Sequence, residues 1–324
     1  MEMPLNIYEQ QGKNTRATWL VILVFIIFFA LLGLGLDVFF LGFNPPDNYF
    51  PFATLFAIGV AGFSAYISYK DGANPVISAT YAQPVDISNF KEKQFDNITE
   101  EMAISAGLPK PGAYVIADPD PNAFAAGTDQ SNSVIAITTG LLDKLNREEL
   151  QAVVAHEISH IKNYDTRLMT VIAALVGGIA LLSEWAKRGF WFSSKSVRKS
   201  KFGKGGAGAL LLIIWLVAVI LAPIIAQILA MLVSRKREFL ADASGAELTR
   251  NPLALAEALK KIEFSAEPTR SISYGTAHLC IIDPLGRRLN NKEGIVAEIF
   301  SSHPPVVKRI SALREMAYRY TVPK

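Results

Sequence analysis

Cysteine is nearly absent: Cys280 is the only one in 324 residues, which excludes an internal disulfide framework and leaves the thiolate-rich zinc classes without ligands. The redox compartment stays open. Histidine is scarce as well, with four in the chain. Charged residues make up 19% and the net charge is only +3, so no basic face is available to bind nucleic acid, and that class is set aside. There is no internal repeat or low-complexity tract. Apolar sequence fills the gap: hydrophobic residues are 51% of the chain and the mean hydropathy is +0.27, values that fit a membrane protein better than a soluble domain of this length.

Residues 1–17 read as a polar tail on the cytoplasmic side. An unbroken apolar run from Trp19 to Leu36 continues past Asp37 to Phe43. It is long enough to span a bilayer, and too long, with no small-x-small exit, for a cleavable signal. A loop at Asn44 to Asn48 precedes a second run from Tyr49 to Tyr69. Residues 18–70 therefore predict a transmembrane hairpin, with helices at about 19–43 and 49–69. Lys13, Arg16 and Lys70 flank it while its connecting loop carries only acid, so both ends face the cytoplasm by the positive-inside rule.

From 71 to 167 the chain is polar and mixed, with short β-leaning runs at Ala113 to Ala117, Asn122 to Gly127 and Ser133 to Thr138 that suggest a small sheet. Residues 168–233 hold two more apolar runs, Leu168 to Ser183 and Ala207 to Val233, the second bent by Pro223. The basic loop 187–206 between them carries seven Lys or Arg residues from Lys187 to Lys204. Full spanning would put that loop outside, against the positive-inside rule; a bent or partly inserted pair is the alternative, and full spanning is the expectation adopted. Residues 234–324 turn polar again, with helical patterns at Arg235 to Leu248, Pro252 to Phe264 and Pro305 to Tyr318.

Chemistry concentrates in His156-Glu157-Ile158-Ser159-His160. Asn146 and Glu149 form a capping box that opens a helix there, and on that helix the two imidazoles project one turn apart from the same face. Imidazole pairs at this spacing hold zinc, and the glutamate between them stands beside a bound water whose proton it can take. The predicted reaction is peptide-bond hydrolysis. H-E-x-x-H arises by chance in about one chain per hundred, so a third ligand is needed. Glu238 supplies it, directly after the fourth apolar run, just as the histidine helix directly precedes the third. The competing reading of Glu238 is a surface ion pair with Arg235 or Arg237. Asp242, one turn beyond, is placed to accept the free ring N–H of a ligand histidine, His156 in the first instance.

A tetrahedral intermediate calls for a further donor beside the metal. His303, stiffened by the prolines that follow it, and Arg309 are candidates, with a solvent-exposed loop histidine and a surface arginine as the bland alternatives. His278 reads as structural. Asn122, Ala123, Phe124 and Ala125 suit a strand that binds extended substrate, and an ordinary buried strand fits equally.

Taken in order, Asn122 to Gly127 (NAFAAG), His156 to His160 (HEISH), Ser234 to Asp242 (SRKREFLAD) and Ser301 to Pro305 (SSHPP), with two hydrophobic segments before them, resemble the HtpX heat-shock membrane proteases, relatives of the type I CAAX prenyl proteases. The resemblance covers nearly the whole chain. It implies a mainly α integral membrane protein with four hydrophobic helices and a split α+β zincin-like metalloprotease domain containing a small β-sheet. It implies one Zn²⁺ per chain held by His156, His160 and Glu238, with Glu157 as base, Asp242 orienting a ligand, and His303 and Arg309 beside the metal. Asn122 would lie on the substrate-binding strand. The expected setting is the prokaryotic cytoplasmic membrane, with the active site facing the cytoplasm. Unfolded or misfolded membrane proteins are the implied substrates, and other membrane quality-control proteases the implied partners.

Two other functions compete. An intramembrane-cleaving protease would bury the histidine motif in lipid, which Arg147, Glu148, Glu149, Lys162, Asp165 and Arg167 around it oppose. A membrane scaffold with a structural zinc would need a fourth protein ligand, and no further Cys or His has suitable spacing. Full spanning of the second hydrophobic pair predicts that cysteines placed between Lys195 and Lys204 are labelled from outside the cell. Labelling from the cytoplasm alone would reject it.

Overall fold

The computed structural model describes residues 7–41, 49–173, 175, 235–265, 269, 271–272, 276–282, 284 and 303–321. The third and fourth hydrophobic runs fall outside these residues from 176 onward, as does the whole basic loop 187–206.

Helix α1 (Ile7–Leu41) and helix α2 (Phe52–Lys70) form the first hairpin. The polar residues from Ile7 to Ala17 are the first three turns of α1, continuous with its apolar run. Gly33 sets the approach of the two helices, because a Cβ there would lie 2.6 Å from the Ala53 carbonyl oxygen. Asp37 explains its own presence in an apolar run. Pro51, at the start of α2, offers no side-chain cap; Asp37 of the neighbouring helix does so instead. Its carboxylate accepts the Ala53 N–H at 3.0 Å, the Thr54 N–H at 2.8 Å and the Thr54 hydroxyl at 2.7 Å, satisfying donors that every helix N-terminus leaves open. Among the described residues these two helices are long and apolar enough to cross a membrane, and Trp19, Leu20, Leu31, Phe56 and Phe63 stand exposed along them.

Beyond α2 come helix α3 (Ala73–Thr80), strand β1 (Gln83–Pro84) and helix α4 (Phe90–Ala106). The sheet is completed by β2 (Gly112–Ile116), β3 (Ala123–Gly127) and β4 (Ser133–Thr138), close to the expected runs. Its order is β1-β2-β4-β3, with β2 and β4 parallel and both outer pairs antiparallel. Strands β3 and β4 are buried along their whole length, which is why they read as apolar runs without alternation. β1, only two residues long, has no such pattern to display.

Helix α5 (Thr139–Lys144) leads into α6 (Arg147–Lys162), which carries both histidines. The capping box is present in full: Asn146 accepts the Glu149 N–H at 2.9 Å, and the Glu149 carboxylate accepts the Asn146 N–H at 2.9 Å. Ala152, Val153, Val154, Ala155 and Ile158 are fully buried, so α6 is a central helix of the core rather than a surface one. A short reversal through Tyr164, in the left-handed region at φ 57°, leads to a helical stretch over 165–173. Val171 and Leu175 share one apolar cluster with Ile22, Phe25 and Phe29 of α1.

Helices α7 (Arg235–Thr249), α8 (Pro252–Phe264) and α9 (Val306–Thr321) complete the domain. α7 packs along α6, and α8 packs on both α6 and α9. A glycine makes the first of these contacts possible. A Cβ on Gly245 would lie 2.9 Å from the His156 backbone nitrogen and 3.0 Å from its Cα, so the two helix backbones touch at the level of the first histidine. Gly245→Ala is therefore expected to lower stability by about 1–3 kcal/mol through overpacking. Gly59→Ala, inside α2 with nothing within 4 Å of the added carbon, should leave the Tm unchanged or slightly raised, because alanine favours a helix over glycine; equal melting of the two variants would refute the close-contact account.

Candidate metal centre

Because α6 and α7 approach so closely, the side chains one and two turns before Gly245 meet those of the histidine motif. The His156 and His160 Nε2 atoms are 3.2 Å apart. Glu238 comes from α7, its carboxylate oxygens 3.8 Å from His156 Nε2 and 3.6 Å from His160 Nε2. One ligand atom from each of the three lies within 4.8 Å of the others. A tetrahedral shell with bonds of about 2.0–2.1 Å separates its ligand atoms by about 3.3 Å, so this trio fits a single small cation with little movement. The Nε2 to Nε2 distance of 3.2 Å is close to that ligand spacing.

Charge gives a second test of fit. Glu157, Glu238, Asp242 and Asp165 are buried, as is Arg309, and the Arg237 guanidinium sits 3.6 Å from Asp165 with little exposure. Four carboxyl groups and two imidazoles share this water-poor site with two guanidiniums, an acid-rich surrounding that suits a bound cation.

Each imidazole is oriented from behind. His156 Nδ1 lies 3.0 Å from Asp242 Oδ1. Asp242 is gripped in turn by Arg309, whose Nε donates to Oδ2 at 2.8 Å and Nη2 to Oδ1 at 2.7 Å. Arg309 Nη1 also donates to the Ile281 carbonyl at 2.8 Å and lies 3.1 Å from Glu238 Oε2. On the other side His160 Nδ1 lies 3.1 Å from Asp165 Oδ2. Burial alone would lower His160, but the Asp165 hydrogen bond and the Glu238 charge outweigh it and raise His160 to about 9. Burial would raise Glu238 and Asp242; His303 and Arg309 hold Glu238 well below the usual carboxylate range, and Arg309 holds Asp242 below it.

Glu157 is the exception among the acids. Burial pushes it up to about 7, with Glu238 adding to the rise and His160, Arg309 and the Ala125 backbone opposing it. It lines a cleft together with Ala125, His160, Asp165, Arg237 and Glu238.

The remaining expected residues are placed as follows. His303 is 2% exposed, with Nδ1 3.3 Å from Glu238 Oε2, and its Nε2 makes no hydrogen bond among the described residues. Arg309 is 0% exposed, so neither is the solvent-facing group of the bland reading. Glu238 is likewise buried and faces the histidines rather than a surface arginine. Asn122 is buried within the fold: its amide donates to the Ile282 carbonyl at 2.8 Å and its own N–H donates to Thr138 Oγ1 at 2.9 Å. Ala123, Phe124 and Ala125 form the first three residues of β3, the edge strand beside α6. His278 is buried at the rim of the same cleft, Nε2 3.2 Å from the Met169 carbonyl. Asp165 and Arg237 are the site residues the sequence reading omits. The one signal is an acid closely following the histidine helix, and its inward aim depends on the left-handed turn at Tyr164, a residue that seldom marks one.

Comparison with known proteins is consistent along the chain. The family described as Peptidase family M48 matches residues 89–317. A protein named Protease HtpX homolog from Caldanaerobacter subterraneus subsp. tengcongensis is 39% identical over 311 residues, 96% of this chain and 98% of that one. Proteins of the same name from Dictyoglomus turgidum and Listeria monocytogenes are 38% and 39% identical, over 98% and 96% of this chain and 97% and 100% of theirs. A crystal structure of Ste24p from S. mikatae aligns with a TM-score of 0.47 and 20% identity, over 80% of this chain and 58% of that one.

Arg309→Leu leaves Asp242 and Glu238 buried without their guanidinium and is expected to destabilise the metal-free protein by about 3–5 kcal/mol. Arg309→Lys keeps the charge without the two-pronged grip and should recover only part of the loss. Denaturant midpoints measure both, and a wild-type midpoint for the leucine variant would contradict the pairing.

Proposed function

This chain belongs to peptidase family M48 and is a metalloprotease similar to the HtpX proteins, and from that premise we propose that it is a zinc endopeptidase of the prokaryotic cytoplasmic membrane that cuts misfolded or damaged membrane proteins on the cytoplasmic side, in quality control under stress. The observation that carries the reading is Glu157, buried and neighbouring two imidazoles and a carboxylate whose ligand atoms converge within 4.8 Å. In this reading His156, His160 and Glu238 hold one Zn²⁺ per chain, which when bound supplies Lewis acidity to a water and to the scissile carbonyl.

Glu157 takes the proton released in the attack and returns it to the leaving amine, a role that its buried place beside the ligands suits. Asp242 fixes the ring of His156. Arg309 spends its donors on Asp242, Glu238 and Ile281, so it acts through the ligands as a positioning residue. His303, with Nε2 uncommitted beside Glu238, is the donor assigned to charge developing on the carbonyl oxygen.

β3 supplies the surface for extended substrate. The Asn122 carbonyl accepts the Thr138 N–H at 3.0 Å, so residues 122, 124 and 126 face β4 and residues 123, 125 and 127 face away. Ala123 O is taken by the Ile281 N–H at 2.9 Å and the Gly127 N–H by Thr170 Oγ1 at 3.0 Å. Ala125 is the outward unit beside Glu157: its N–H meets that carboxylate, and its carbonyl is the group assigned to pair with a substrate backbone. Asn122 serves by holding the strand.

The site lies at the membrane surface in this reading. Trp19 and Tyr69 pack at 5.4 Å between ring centroids, and the Arg167 guanidinium sits 5.7 Å over Tyr69, an aromatic and cationic girdle of the kind found at headgroup level.

Glu157→Gln is expected to retain zinc and to lose about 10²–10⁴-fold in cleavage of an unfolded protein; cleavage at the wild-type rate by the zinc-loaded variant would remove Glu157 from the role of base. Glu238→Ala should lose zinc affinity, and normal zinc occupancy in that variant would take Glu238 out of the ligand set.

A further inference from the structure

The two carboxylates behind the imidazoles are anchored in different ways. Asp242 is held within the soluble domain by Arg309. Asp165 is held from the membrane hairpin: its Oδ1 accepts the Asn14 side-chain amide at 2.6 Å while its Oδ2 meets His160 Nδ1 at 3.1 Å. Asn14 and Asp165 are each 1% exposed. The same Asn14 nitrogen donates to the Asn163 carbonyl at 2.9 Å, so both amide hydrogens are directed at the turn that ends α6. One turn earlier on α1, Gln11 donates to the Lys162 carbonyl at 2.8 Å. The first turns of α1 therefore cap the last carbonyls of the histidine helix and, through Asn14, reach the carboxylate that orients its second imidazole.

We propose that Asp165 and Asn14 are positioning residues for His160, and that the juxtamembrane end of α1 is thereby a structural part of the metal site. The proposal rests on His160 being a metal ligand. The chemistry selects asparagine at this place. A neutral amide gives Asp165 a donor without competing with His160 for its charge. An aspartate would put like charges 2.6 Å apart, and an apolar side chain would remove that donor and leave the Arg237 Nε at a longer 3.6 Å. An imidazole that loses its carboxylate's fixed direction loses both ring orientation and basicity as a ligand, which weakens metal binding by about 10–100-fold.

Full-length protein in detergent, stripped of metal, is titrated with Zn²⁺ against a competing chelator and with Co²⁺, whose visible spectrum reports ligand geometry. Asn14→Leu and Asp165→Asn are expected to bind Zn²⁺ at least ~10-fold more weakly and to alter the Co²⁺ spectrum. Gln11→Met, which removes an equivalent α1-to-α6 contact that does not touch Asp165, should stay within about 2-fold of wild type. Wild-type affinity in Asn14→Leu, or an equal loss in Gln11→Met, would overturn the proposal by reducing Asn14 to a docking contact. Should Asn14→Leu fail to fold, the smaller change Asn14→Ser takes its place beside Asp165→Asn, whose side chain keeps the same volume; wild-type affinity in either overturns the proposal. His160→Ala separates the premise from the proposal: normal metal affinity in that variant means that His160 is not a ligand, whereas a loss there with none in Asn14→Leu and Asp165→Asn refutes the positioning role only.

Discussion

A carboxylate taken out of water costs several kcal/mol unless a positive charge and hydrogen bonds replace its hydration. This protein buries four of them around two imidazoles. The architecture around that centre answers the cost. Arg309 arrives from α9 to grip Asp242 and touch Glu238, and Arg237 and Asn14 attend Asp165. Glu157 is treated differently. Among the described residues no guanidinium pairs with it directly, and burial raises it instead to about 7. One electrostatic environment thus produces acids that stay ionised and a single acid poised to exchange a proton.

The helix packing serves the same end. Gly245 lets α7 lie against the backbone of His156, and the positions one and nearly two turns before it, Asp242 and Glu238, then face the histidines. A bulkier residue at that crossing would separate ligands without altering any of them. The sheet contributes an edge rather than a core function: β3 is buried on its faces, yet its outward backbone at Ala125 borders the same cleft as Glu157.

Much of the site was legible from residue spacing because its parts repeat at helical period. His156 and His160 are one turn apart, Glu238 and Asp242 likewise, and the Asn146 and Glu149 pair announces the helix start; local periodicity carries all of these. Asp165 and Asn14 were not legible. Their meeting spans 151 positions, and the turn that aims Asp165 inward uses a tyrosine in the left-handed region, where glycine or asparagine is the usual marker. The hairpin was visible as apolar length, but the continuity of α1 down to Ile7 was not, because polar residues beyond a span read equally as tail or helix. Asp37 shows the same limit. In the sequence it interrupts an apolar run, and only the position of Ala53 and Thr54 reveals a helix cap.

The distance along the chain between Asp242 and its guanidinium has a temporal meaning. Arg309 follows Asp242 by 67 residues and is the last of the central residues to leave the ribosome. A nascent chain that already carries both histidines, Glu157 and Glu238 still lacks the guanidinium that pairs with Asp242 and Glu238, so the assembled site belongs only to a chain translated through α9.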